Sequence, residues 1–216
     1  MNPKVKWYCG HYVGAPKWQN NNSPADYEPD ECCAEGEIEL DEDGVDDWNE
    51  GCFISQCDVC GAELTQDMGH FRLTGEGKKV LVIDDDLSRL KWFNEMLKTF
   101  ECNDVTLAYN AEEALACFRK EVFDLVFFDH DLGFGMDGSQ LAYHILSHTE
   151  EFKAPKAIFI HTCNPEGAAN IAAKFKSTGI RYYSGSYDYC VNYRQDFEST
   201  TLALLNGLTI PEGVGY

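Results

Sequence analysis

Lys79-Val80-Leu81-Val82-Ile83-Asp84-Asp85-Asp86 decides the fold. An unbroken apolar run without alternation marks a strand buried on both faces, and the three aspartates mark its polar end. The same grammar repeats downstream. Apolar residues at helical spacing follow (Leu90, Phe93, Leu97, Phe100), then a strand at Val105-Thr106-Leu107-Ala108. Asn110, with Glu113 three residues on, opens a second helix in a capping-box pattern. Leu125-Val126-Phe127-Phe128 is a third strand, ending at Asp129, and a helix is expected near 139–148. Ala157-Ile158-Phe159-Ile160 is a fourth strand, and a helix runs from Pro165 to about Ser177. Gly179 stops it before a fifth strand at Ile180–Ser184, and a last helix covers about 192–206.

Five βα units with apolar strands and short loops predict an α/β fold: a five-stranded parallel, doubly wound sheet of order 2-1-3-4-5, spanning residues 78–208. That order makes the first and third strands neighbours at the point where the winding reverses, and ligands bind at the carboxyl ends there. Both ends are acidic: Asp84-Asp85-Asp86 and Asp129-His130-Asp131. Carboxylates gathered in one crevice repel, and a divalent cation relieves the conflict. Hard oxygen donors suit Mg²⁺ or Mn²⁺, so Asp84, Asp85, Asp129 and Asp131 are the expected ligands. His161, after the fourth strand, shares this rim and is the expected proton donor. Asn164 reads equally well as a rim residue and as the cap of the helix that begins at Pro165, whose free N–H groups suit an anion.

Residues 1–76 read differently. They hold 17 acidic and 4 basic residues and show no dependable period. Six of the ten cysteines lie in the first 60 residues. Cys57-Asp58-Val59-Cys60-Gly61 is a zinc knuckle, with two thiolates at C-x-x-C spacing and a glycine for the turn. Cys9 and His11 are the expected second ligand pair, with Cys33 (or Cys32) in reserve. The expectation is a small irregular region stapled by structural Zn²⁺, since a segment this polar lacks apolar area to fold by burial alone. Its acidity suits a structural or protein-binding role.

The whole chain carries a formal net charge of -20, which disfavours nonspecific nucleic-acid binding because phosphate contacts need clustered Lys and Arg. No apolar run has the length of a membrane span and no leader pattern is present, so a cytoplasmic protein without membrane association is expected.

The strand-end motifs carry a resemblance. An acidic pair after the first strand, Asp129 after the third and a Met136-Asp137-Gly138 turn downstream resemble response-regulator receiver domains, in which the residue at Asp129 accepts a phosphoryl group. That family places a Lys after the fifth strand, whereas this chain has Tyr182-Tyr183-Ser184-Gly185-Ser186-Tyr187. A divergent branch, the cyclic-phosphate processing receiver-like domains, is more similar. Its motifs resemble Ile83-Asp84-Asp85 with Arg89 downstream, Phe128-Asp129-His130-Asp131-Leu132-Gly133, and His161-Thr162-Cys163-Asn164-Pro165-Glu166-Gly167. The resemblance implies a metal-dependent phosphoesterase acting on a small cyclic phosphate, nucleotide-derived or left by RNA repair. Asp129, His161 and Asn164 would serve catalysis, and Asn164, Gly167, Arg89 and His130 would hold the substrate. The competing expectation is a receiver-like signalling or adaptor protein that accepts phosphate on Asp129, or is non-catalytic, and binds a protein partner.

Overall fold

The computed structural model describes residues 2–10, 12–13, 30–66 and 71–210. The chain divides into two compact units, one up to Leu73 and one from Thr74 onward.

The first unit contains, in chain order, β1 (Lys4–Tyr8), β2 (Tyr12–Val13), β3 (Asp30–Glu31), β4 (Glu35–Glu39), α1 (Glu42–Glu50), β5 (Ile54–Gln56), β6 (Glu63–Thr65) and β7 (Phe71–Leu73). β1 is the centre of a three-stranded antiparallel sheet of order β4-β1-β7. Val5 and Trp7 turn inward from it, as a two-residue period requires. Trp7 lies on Gly36, where a Cβ would come within 2.7 Å of the indole, so that strand position requires glycine. α1 begins at Asp41, whose carboxylate accepts from Gly44 N at 2.9 Å, and ends at Gly51 in the left-handed region (φ 77°). Trp48, Phe53 and Phe71 form an aromatic knot with ring centroids 5.0 to 6.3 Å apart. Regular elements thus exist where the sequence shows no dependable period. The alternation is hidden because β4 reads Glu-Gly-Glu-Ile-Glu, three of its five residues being outward glutamates.

The second unit is the expected fold. It runs β8 (Lys79–Ile83), α2 (Leu87–Thr99), β9 (Asp104–Ala108), α3 (Ala111–Lys120), β10 (Leu125–Phe128), α4 (Gly138–Ser147), β11 (Ala157–Ile160), α5 (Pro165–Lys176), β12 (Arg181–Ser184), α6 (Tyr187–Asn192) and α7 (Arg194–Asn206). The sheet order is β9-β8-β10-β11-β12 with every pairing parallel, which is 2-1-3-4-5. β10 and β11 are buried at every position. On one face, Leu81, Val126, Phe128 and Ile158 pack with Phe118, Ile145 and Phe175 from α3, α4 and α5. On the other, Phe127 and Phe159 pack with Phe93 of α2 and Phe197 of α7, at centroid distances of 5.0 to 5.8 Å. The chain end differs from the expected single helix. Ser186 caps a separate short α6, its hydroxyl accepting from Tyr189 N at 3.1 Å, and Tyr193 joins it to α7. Among the described residues no helix is long and apolar enough to cross a membrane.

Candidate active site and cysteine cluster

The sheet register builds the site. Ile83 pairs with Phe128, and Phe128 with Ile160. The ladder continues for one more residue: Asp129 N donates to Ile83 O at 3.1 Å, and His161 N to Phe128 O at 3.1 Å. Asp84, Asp129 and His161 therefore stand in a row, one from each of three adjacent strand ends. By strand alternation they share the face of Val82, Phe127 and Phe159, the face covered by α2 and α7. All three are essentially buried, and one donor atom from each lies within 4.8 Å of the others.

A buried carboxylate pair requires compensation. Arg89, in the first turn of α2, provides part of it. Its Nε donates to Asp84 Oδ1 at 3.0 Å, and its Nη2 reaches Asp84 Oδ1 at 2.8 Å, Asp129 Oδ2 at 3.1 Å and Asp85 Oδ1 at 3.3 Å. Asp86 sets the approach by capping α2, its Oδ1 accepting from Ser88 N at 2.7 Å. Asp84 Oδ2 meets His161 Nε2 at 3.0 Å, and Asp129 Oδ1 accepts from His130 N at 2.7 Å. Burial alone would lower the Arg89 pKa, but the charges of Asp84 and Asp129 raise it. Three carboxylates against one guanidinium still leave two negative charges uncompensated. The strain falls on Asp85, whose carboxyl is pushed up first by burial and then by Asp84 and Asp129.

The chain has no Lys after β12. Tyr187 lies there instead, with its ring 6.0 Å from the Arg89 guanidinium. The cation comes from α2 instead of from the fifth strand. The spacing of Arg89 after Asp85 contained this signal, because a residue in the first turn of α2 lies directly over the ends of β8 and β10.

The structure corrects the expected ligand set at Asp131. Its carboxylate is 70% exposed and lies beside His130 Nδ1 at 3.0 Å, not in the buried cluster. β10 ends at Phe128, so strand alternation no longer governs Asp131, which lies in the exposed loop beside the half-buried His130 ring. Asn164 Nδ2 is 3.5 Å from His130 Nδ1, while Asn164 Oδ1 caps α5 through Gly167 N at 3.0 Å. Gly167 has no side chain because a Cβ there would strike the His130 ring, so its place in the motif is explained by packing. His161 is fully buried, its ring edge-on to Phe93 at 4.7 Å, and its Nδ1 has no hydrogen-bond partner.

In the first unit, Cys9, Cys32, Cys57 and Cys60 converge, with sulfurs all within 4.8 Å of one another. Cys9 Sγ and Cys60 Sγ are 3.5 Å apart, and Cys32 Sγ and Cys57 Sγ 3.8 Å. Four thiolates around zinc at about 2.3 Å stand roughly 3.8 Å apart, so the donor set fits a tetrahedral Zn²⁺. Cys57 and Cys60 sit in the turn between β5 and β6, where Gly61 (φ 72°) donates to Cys57 O at 2.8 Å. Backbone N–H groups, that of Cys60 foremost, bring the Cys57 thiol down to about 7. Cys32 takes the place for which Cys33 stood in reserve. Successive residues of an extended segment face opposite ways, and here Cys32 is buried and Cys33 exposed. His11 lies outside the described residues.

For the second unit the donor chemistry also fits a divalent ion. Asp84, Asp129 and His161 offer buried oxygen and nitrogen donors, and the charge left after Arg89 is that of two carboxylates.

Among solved structures, the chain is similar to the Mg²⁺-bound receiver domain of the histidine kinase CKI1 from Arabidopsis thaliana, at 20% identity and a TM-score of 0.43, covering 56% of this chain and 92% of that one. It is also similar to a CheY-like receiver domain protein from Methanospirillum hungatei JF-1, at 26% identity and a TM-score of 0.41, covering 59% and 93%. Among curated proteins there is no significant match. Residues 79–177, the segment that carries Asp84, Arg89, Asp129 and His161, match the family described as the cyclic-phosphate processing receiver domain.

Proposed function

We propose that the second unit is a metal-assisted phosphoesterase that opens a small cyclic phosphate at the carboxyl ends of β8, β10 and β11. The observation that carries this reading is the buried row of Asp84, Asp129 and His161, whose two carboxylates grip Arg89, within the matched segment. Arg89 is held through Nε and Nη2, so Nη1 remains to meet a phosphate oxygen. A donor fixed by buried carboxylates binds phosphate with little further ordering cost. An anion cannot enter a site with two surplus negative charges unless another cation comes with it. A divalent ion held by Asp84 and Asp129 would supply that charge, and with it Lewis-acid polarisation of phosphate and water.

The proton steps belong to the chain's own imidazoles. His161 is sealed against Phe93 and tied to Asp84, so its role is to position Asp84. His130 is the accessible imidazole: Asp131 orients it through Nδ1, Asn164 flanks it, and its Nε2 is the atom that would protonate the leaving oxygen. This moves the general-acid role from His161 to its counterpart at the end of β10.

The test is a panel of 2′,3′-cyclic nucleotides and sugar cyclic phosphates with Mg²⁺ or Mn²⁺. Hydrolysis is expected, Asp129→Asn abolishing it and His130→Ala slowing it by roughly 10²–10⁴-fold. Stoichiometric, Asp129-dependent labelling by acetyl phosphate without hydrolysis would replace this reading with that of a phosphoaccepting receiver.

A further inference from the structure

The loop after β10 carries Gly133-Phe134-Gly135, and the Phe134 side chain is fully exposed. Both glycines lie in the left-handed region, at φ 70° and 97°, so the backbone conformation that presents the ring depends on them. Phe134 lines a cleft of about 650 Å³ together with Tyr109, itself 43% exposed, and with Asn110, Glu112 and Asp85. The volume is that of a small-molecule site. Asp85 belongs to the Arg89 cluster, and a Cβ on Gly133 would meet Asp85 Oδ2 at 3.4 Å, so the cleft continues directly into the phosphate end.

We infer that this cleft is a nucleobase subsite, with Phe134 as stacking platform and Tyr109 as the second aromatic wall. The inference rests on the phosphoesterase reading for its phosphate end and names the substrate class as nucleoside cyclic phosphates. A lone exposed aromatic needs no explanation. Two aromatics in one cleft, one of them displayed by paired glycines, match what a base requires: apolar faces with a polar edge. Glu112 and Asn110 provide that edge. The carboxylates of Glu112 and Asp85 repel phosphate and accept from base amino groups, so the ligand is oriented with its base between the rings and its phosphate at Arg89. With a net charge of -20, the chain suits a mononucleotide better than an RNA end.

The experiment compares full-length wild type, Phe134→Ala and Phe134→Tyr. Kinetics use 2′,3′-cyclic AMP, ribose 2,3-cyclic phosphate, which lacks the base, and a short RNA ending in a 2′,3′-cyclic phosphate. Saturation-transfer NMR follows adenosine, whose binding requires no hydrolysis. Because Phe134 is fully exposed, the melting temperature should be unchanged. Base stacking predicts that Phe134→Ala raises KM for 2′,3′-cyclic AMP about tenfold at constant kcat. The base-free sugar should be unaffected, the Tyr variant should restore KM, and the adenosine signal should disappear in the Ala variant. Adenosine binding in a Phe134-dependent way without any hydrolysis would uphold the subsite and remove the hydrolase. Hydrolysis with equal KM for all three proteins, or adenosine binding indifferent to Phe134, would overturn the subsite and leave the hydrolase standing. A lower KM for the RNA than for the mononucleotide would overturn the assignment of a free nucleotide.

Discussion

The two units gather ligand-bearing side chains by opposite physics. In the first, four cysteines meet beside short strands and in a hairpin turn, in a unit where Trp48, Phe53 and Phe71 form an aromatic cluster. In the second, two aspartates and a histidine are delivered by the ends of a parallel sheet with fully buried strands, and an arginine already compensates part of their charge. A small polar frame depends on its metal for folding energy, whereas a frame with a large core can hold an electrostatically costly cluster and keep it for chemistry. On the function proposed above, closely gathered ligands serve as a staple in one unit and as a working site in the other.

The largest effect that would break this contrast concerns zinc. Structural zinc contributes on the order of 10 kcal/mol to small domains. Chelation, or Cys57→Ser, should release one zinc per chain and unfold the first unit, seen as collapsed amide dispersion and rapid proteolysis before Leu73. The second unit should retain its own melting transition. A metal-free first unit that stays folded would place both units in the same class.

A smaller effect tests whether Arg89 and a divalent ion share one charge balance. Arg89→Met leaves Asp84 and Asp129 without their cation and should cost about 2 kcal/mol, measured by denaturant unfolding. Millimolar Mn²⁺ should recover more stability in this variant than in wild type, because the ion then neutralises the whole cluster. Equal Mn²⁺ responses would show that Arg89 and metal do not act on the same carboxylates.

The smallest effect is at Asp85. Its folded-state pKa is raised, so its contribution favours the folded state at low pH and is lost as pH rises through the raised value. Asp85→Asn should therefore stabilise the protein near neutral pH and lose that advantage below the ordinary carboxylate range. The side chain is 35% exposed and screened by solvent, so the gain should be only a few tenths of a kcal/mol, or about 1 °C in Tm. A gain that persists at low pH would point to packing instead of charge.

Legibility followed the same divide. The βα order, the strand ends and the acidic rim were readable because buried parallel strands are continuous apolar runs ending abruptly in polar residues. α6, which precedes the helix expected at about 192–206, leaves no sequence signal because Ser186, its cap, lies among residues with no helical period. The strands of the first unit were unreadable because outward glutamates mask a single inward residue, as in β4.

The sequence by itself determined the five-stranded sheet, its winding, the row of Asp84, Asp129 and His161, and the knuckle at Cys57 and Cys60, since each follows from local pattern and parallel register. Only the tertiary structure decided which neighbour in a pair faces the site. It chose Cys32 over Cys33, turned Asp131 outward, and sealed His161 beneath Phe93 while leaving His130 half-buried. It also brought Arg89 among the carboxylates. These are choices of side-chain direction and burial, set by what packs against each backbone position, and adjacent residues of the same type carry no mark in the sequence that tells them apart.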